Sequence, residues 1–106
     1  MDSETAQIKK SLKKFKKRAS KHFYIDKVIF FGSRARGKFK KYSDIDLILI
    51  SPKFRGMKYF KRAPPLYKYW DMDYSFDIIC YTPEEFEEKR KEIGMVREAI
   101  KEGIVI

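Results

Sequence analysis

The chain holds one cysteine and one histidine in 106 residues. Cys80 alone cannot build an internal disulfide framework, and His22 alone cannot found a His-rich metal cage. No apolar run approaches the roughly 20 residues that cross a bilayer. The opening residues, Met1-Asp2-Ser3-Glu4, lack the basic start and continuous apolar stretch of a secretory signal. There is no GxxxxGK(S/T) loop, no internal repeat, and no acid between Ser51 and Trp70. The expectation is a soluble cytoplasmic protein with no membrane partner.

What is present suffices for one core. Apolar residues make up 43% and aromatics 16%, which argues against disorder. A chain of this length buries only about two-thirds of its unfolded surface, so residues 1–106 are expected to form a single domain. Charge is plentiful and lopsided: 25 Lys and Arg oppose 15 Asp and Glu, a formal net charge of +10. Residues 1–22 carry eight bases against Asp2 and Glu4, and residues 34–41 add Arg34, Arg36, Lys38, Lys40 and Lys41. The last quarter turns mildly acidic. Such asymmetry suits a polyanion on one side, whether nucleotide, nucleic acid or acidic protein. Solubility alone is the plainer reading, and charge does not choose between them.

Ile8, Leu12, Phe15, Ala19 and Phe23 recur on one helical face and predict an amphipathic helix over residues 3–22. A membrane-surface helix has the same pattern, but the apolar stripe is thin and a strand follows at once, so packing on a sheet is expected. Strands are predicted at 25–31, 43–50 and 74–81. Between the first two lies a basic turn, 32–41, with room for a short helix. Residues 51–73 form an excursion with Pro52, Gly56, Pro64 and Pro65, studded with Phe54, Tyr59, Phe60, Tyr67, Tyr69 and Trp70. It could stack and neutralise RNA or a base, dock a partner, or cover one end of the sheet. Thr82-Pro83-Glu84-Glu85 opens a helix with a cap, a first-turn proline and acids at the positive dipole end. A last helix near 94–102 stops at Gly103, and Ile104-Val105-Ile106 reads as a short strand. The fold class is α/β (α+β), a small mixed sheet with helices packed on it. His22 reads as a surface or cap residue and Cys80 as a small buried hydrophobe.

Acids are poor strand formers, yet Asp44 and Asp46 head an otherwise apolar strand. Their i, i+2 spacing places both on one face, about 6.5–7 Å apart. Hard oxygen ligands so spaced suit a divalent cation such as Mg²⁺. Asp77 lies inside the next strand, in Phe76-Asp77-Ile78-Ile79. Three converging carboxylates would repel one another, and a bound cation is the economical explanation. The plainer readings are a loop-marking DxD and an Asp77 paired with an arginine of the basic turn. Phe30-Phe31-Gly32-Ser33 runs a strand into a glycine turn, where backbone N–H groups and a hydroxyl can hold phosphate oxygens. Arg34 and Arg36 follow and could neutralise them.

Gly32-Ser33, ten residues, then Asp44-Ile45-Asp46 reproduces GSx₁₀DxD. With Gly32-Ser33-Arg34-Ala35-Arg36-Gly37 before and Ser43-Asp44-Ile45-Asp46-Leu47 after, the chain resembles the minimal nucleotidyltransferases. These are stand-alone members of the DNA polymerase β-like nucleotidyltransferase superfamily. The resemblance implies that fold, with Gly32 and Ser33 as the turn that holds the triphosphate, and Asp44 and Asp46 as ligands of two Mg²⁺ ions. Asp77 matches the third carboxylate, which helps activate the attacking hydroxyl; it is preferred over Asp71 and Asp73 because it sits within the apolar run. The implied reaction moves a nucleoside monophosphate, AMP from ATP, to a hydroxyl. Minimal members are typically paired with a HEPN protein, in several pairs an RNase toxin that the transferase adenylylates on tyrosine as its antitoxin. Two other classes stand beside this one: an antitoxin that neutralises by binding alone, and a basic nucleic-acid-binding module with an unused transferase motif. Exposed apolar surface on so small a sheet also suits a homo-oligomer.

Overall fold

The structure, a computed structural model, describes residues 3–37 and 43–106. The second half of the expected basic turn, with Lys38, Lys40 and Lys41, lies outside the described residues. Helix α1 (Ser3–Ser20) leads to β1 (Lys27–Phe31), the one-turn helix α2 (Ser33–Arg36) and β2 (Ile45–Ile50). After the excursion come β3 (Phe76–Tyr81), α3 (Pro83–Lys89), α4 (Met95–Glu102) and the two-residue β4 (Ile104–Val105). The order across the sheet is β3-β2-β1-β4, with β2 and β3 parallel and the other pairs antiparallel. The mixed sheet expected from the sequence is therefore present, with its strands a little shorter than predicted.

Period-two alternation sends the strand residues to two separate cores. Val28, Phe30, Ile45, Leu47, Leu49, Ile78 and Cys80 pack on the α1 stripe of Ile8, Leu12, Phe15 and Ala19. Ile29, Phe31, Ile48 and Ile50 face the other way, onto Val96 and Ala99 of α4. Because β2 is covered on both faces, it reads as a nearly unbroken apolar run. Cys80 is 1% exposed, and burial pushes its thiol up to about 12, so it behaves as the small hydrophobe expected.

A parallel β2–β3 pair needs a long crossover. Residues 51–75 provide it without α-helix, through 3₁₀ turns at Pro52–Phe54, Tyr59–Lys61 and Pro64–Tyr69. The excursion divides its aromatics. Phe54 is buried, and Trp70 lies edge-on to Phe15 at 5.4 Å and against Phe76 at 4.2 Å, closing the α1 side of the sheet. Tyr59, Phe60 and Tyr67 stay largely exposed. His22 is exposed and stacks on Tyr69.

Buried Arg62 ties this segment down. Its guanidinium donates to the carbonyls of Met57 and Cys80, and in a fork to Glu85 Oε1 at 2.6 Å and Oε2 at 3.1 Å. Through the Cys80 contact it also covers part of the free edge of β3, where unpaired backbone would invite another strand. Glu85 closes the capping box of α3 at the same time, accepting from the Thr82 backbone N–H while the Glu85 N–H donates to Thr82 Oγ1. The hydrogen bonds from Arg62 hold the Glu85 carboxyl below the ordinary carboxylate range.

Two outcomes follow from this packing. Leu12→Ala should lower unfolding free energy by about 2–5 kcal/mol in urea melts, since the fully buried side chain leaves a cavity against the sheet. Glu85→Gln should flatten the acid limb of stability. A carboxyl with a depressed folded pKa contributes fully above its unfolded value, about 4.3, and loses that contribution as pH falls through the lower folded value. Paired thermal melts from pH 7 down to pH 3 should therefore show wild type and variant converging in acid.

Candidate active site

The register of three strands builds the site. Asp46 opposes Phe31 across the antiparallel pair and Asp77 across the parallel one. Asp44, Asp46 and Asp77 consequently share the α4 face of the sheet, beyond Ile48, Ile50 and Ile79, where the apolar cover ends. Asp46 is partly buried while Asp44 and Asp77 are exposed. Burial first, then the charges of Asp77 and Asp44, raise the Asp46 pKa above its ordinary value. Among the described residues no lysine or arginine forms an ion pair with any of the three. Asp71, the nearby alternative, is instead paired with Arg18 at 2.8 Å.

Phe31 leads directly into Gly32, whose φ of 82° and ψ of −167° lie in a region essentially closed to other residues. Contact enforces glycine as well. A Cβ on Gly32 would stand 3.3 Å from Asp46 Cγ and closer still to Oδ2. The carboxylate thus rests on the bare backbone of the turn, and Ser33 follows at the start of α2. A groove of about 190 Å³ opens beside the turn, lined by Phe31, Gly32, Arg36, Met95, Glu98 and Glu102 among others. Arg36 reaches across to Glu102 at 3.2 Å and is exposed.

Arg34, expected beside the phosphates, is buried in the structure. Its side chain is 3% exposed; Nε donates to the Ser43 carbonyl at 2.7 Å and NH1 to Glu4 Oε1 at 3.2 Å, with the Tyr74 ring 4.6 Å away. Tyr74 in turn donates its hydroxyl to Glu4, and Thr5 donates to the Arg34 carbonyl. This cluster around buried Arg34 fastens the turn and the residue before Asp44 to α1. Ser75, which sequence reasoning did not single out, donates its hydroxyl to the Asp44 carboxylate. Only a three-dimensional arrangement brings it to the carboxylates.

The donor set is hard oxygen with excess negative charge, which fits Mg²⁺ better than a soft metal. Among the described residues no three carboxylates draw close enough to enclose an ion.

No curated protein matches the sequence. Among solved structures, a Sulfolobus solfataricus protein with a provisional nucleotidyltransferase assignment superposes with a TM-score of 0.67 at 22% identity, covering 95% of this chain and 80% of that one. At that identity the shared property is the fold, and it is the fold on which the carboxylates and the glycine turn meet here. The family model of the nucleotidyltransferase domain matches residues 12–105, a span that takes in Gly32, Ser33, Asp44, Asp46 and Asp77. The chain belongs to the nucleotidyltransferase domain family.

Proposed function

We propose that residues 1–106 act as one catalytic domain that transfers AMP from ATP to a hydroxyl acceptor, a tyrosine of a HEPN-type partner, in an antitoxin role. The observation that carries the reading is the contact of Asp46 with the bare backbone of Gly32, in register with Asp77. It sets the bare backbone of the turn against carboxylates that no described lysine or arginine pairs with.

Gly32 and Ser33 would seat the triphosphate, because glycine lets an oxygen approach the backbone and the hydroxyl can donate to it. Arg36 would exchange Glu102 for a phosphate oxygen, a stronger charge-assisted partner. Asp44, Asp46 and Asp77 would hold Mg²⁺, which when bound supplies charge neutralisation at the attacking and leaving oxygens. The acceptor oxygen forms a bond to the α-phosphorus as the bond to the β-phosphate bridge breaks, and pyrophosphate leaves. Asp77, exposed on the edge strand, would take the acceptor's proton. Ser75 keeps Asp44 oriented, and Arg34 keeps its strand in place. Positioning and electrostatics provide most of such a rate enhancement.

The test uses α-labelled ATP, Mg²⁺ and the co-purified partner. Label should enter one protein band and disappear with EDTA. Asp46→Asn should lower the transfer rate by about 10²–10³. Gly32→Ala should lower it comparably, through backbone strain and displacement of the Asp46 carboxylate, while circular dichroism stays that of the folded chain. Label entering RNA would keep the chemistry and change the acceptor. Absence of label with every nucleotide, from protein that still binds its partner, would overturn the reading in favour of neutralisation by binding alone.

A further inference from the structure

We propose that the solvent face of α1, with the turn that follows it, binds the phosphate backbone of a double-helical nucleic acid, without regard to sequence, through a row of five lysines. Lys10, Lys13, Lys14 and Lys17 recur at i, i+3, i+4 and i+7, which places them on one face of α1, and Lys21 follows in the turn just after the helix. All five are exposed, and the face they form is opposite the buried stripe of Ile8, Leu12, Phe15 and Ala19. Among the described residues none of the five has an acidic partner.

The chain itself shows what a merely solvated helical face looks like. Along α3 and the turn after it, signs interleave: Arg90 pairs with Glu87 at 2.6 Å, Lys89 with Glu92 at 3.6 Å and Lys91 with Glu88 at 4.0 Å. On α1 the neighbours at i+3 and i+4 along the row are all of one sign and repel one another. A polyanion laid along the row removes that repulsion.

The row's composition selects the polyanion. Every large apolar side chain of α1 is buried in the sheet, so none remains to anchor the helix in a lipid surface. The row has no apolar centre of the kind a protein interface is built around. It has no aromatic residue on which the bases of a single strand could stack. Lysines act as point charges without the planar fork that reads a base edge, which suits phosphate and not sequence. From Lys10 to Lys17 the helical part of the row runs about 10 Å at ~1.5 Å per residue. A duplex presents one charge per ~1.7 Å of that length. Since α1 covers the opposite side of the sheet from Asp44, Asp46 and Asp77, such binding leaves the carboxylates open and does not depend on nucleotidyl transfer.

The experiment measures fluorescence anisotropy of duplex RNA and duplex DNA of about 20 base pairs with the full chain, across roughly 50–200 mM salt. Binding is expected to both, with log affinity falling against log salt at a slope of about −4. Changing Lys10→Gln, Lys13→Gln, Lys14→Gln and Lys17→Gln together keeps good helix formers. It should weaken binding at least about tenfold and flatten the slope by about 3. A charge-matched variant, Lys53→Gln, Lys58→Gln, Lys61→Gln and Lys68→Gln, should bind nearly as wild type, and so should Asp46→Asn. Equal loss in the two lysine variants would overturn the proposal, as would a slope near zero or tighter binding to single strands or anionic vesicles than to duplex.

Discussion

The site depends on the pairing register of β2. That strand lies between β1 and β3 and is covered on both faces, so Leu47 and Leu49 must point to α1 while Ile48 and Ile50 point to α4. A slip of one residue would exchange the two sets. The same parity that satisfies the cores puts Asp44 and Asp46 on the α4 face, and it sets Asp46 between Phe31 and Asp77. Burial energy therefore positions charged groups that would not choose one another's company, since Asp77 and Asp44 each add to the proton affinity of Asp46.

Around this fixed strand the remaining elements divide the labour. The α1 side carries the larger core and the Glu4–Arg34–Tyr74 cluster around buried Arg34, which anchors the residue before Asp44. The α4 side has a smaller core that ends short of the carboxylates and leaves a groove beside Gly32. The crossover between β2 and β3, lacking any α-helix, is held by Arg62 and by aromatic contacts to Phe15 and Phe76. One arginine thus links the excursion, the edge of the sheet and the cap of α3.

Much of this was legible in the residue order because local and global preferences agree. The α1 stripe, the apolar strands and the Thr82-Pro83-Glu84-Glu85 helix start each carry a periodicity or a cap that needs no tertiary information. The spacing from Gly32 to Asp46 was legible for the same reason: it reflects one hairpin with a short helix in its connection. Strand order was not, since nothing local says that β3 pairs with β2 and not with β1. Arg34 and Arg36, two residues apart in one turn, looked alike in sequence. The structure sends one into a buried cluster behind the site and the other to a groove in front of it. Ser75 was invisible because its partner, Asp44, lies 31 residues away. The aromatic excursion resisted reading because its rings answer to two purposes, Phe54 and Trp70 to the core and Tyr59, Phe60 and Tyr67 to the surface.

The chain's single thiol has a use outside its own chemistry. Cys80 lies on β3 within the larger core, shielded from solvent, with its thiol pushed up by burial. Alkylating reagents attack the thiolate, so they can reach it only when the packing over that strand opens. The rate at which Cys80 is labelled in the folded protein is therefore a built-in clock for that opening.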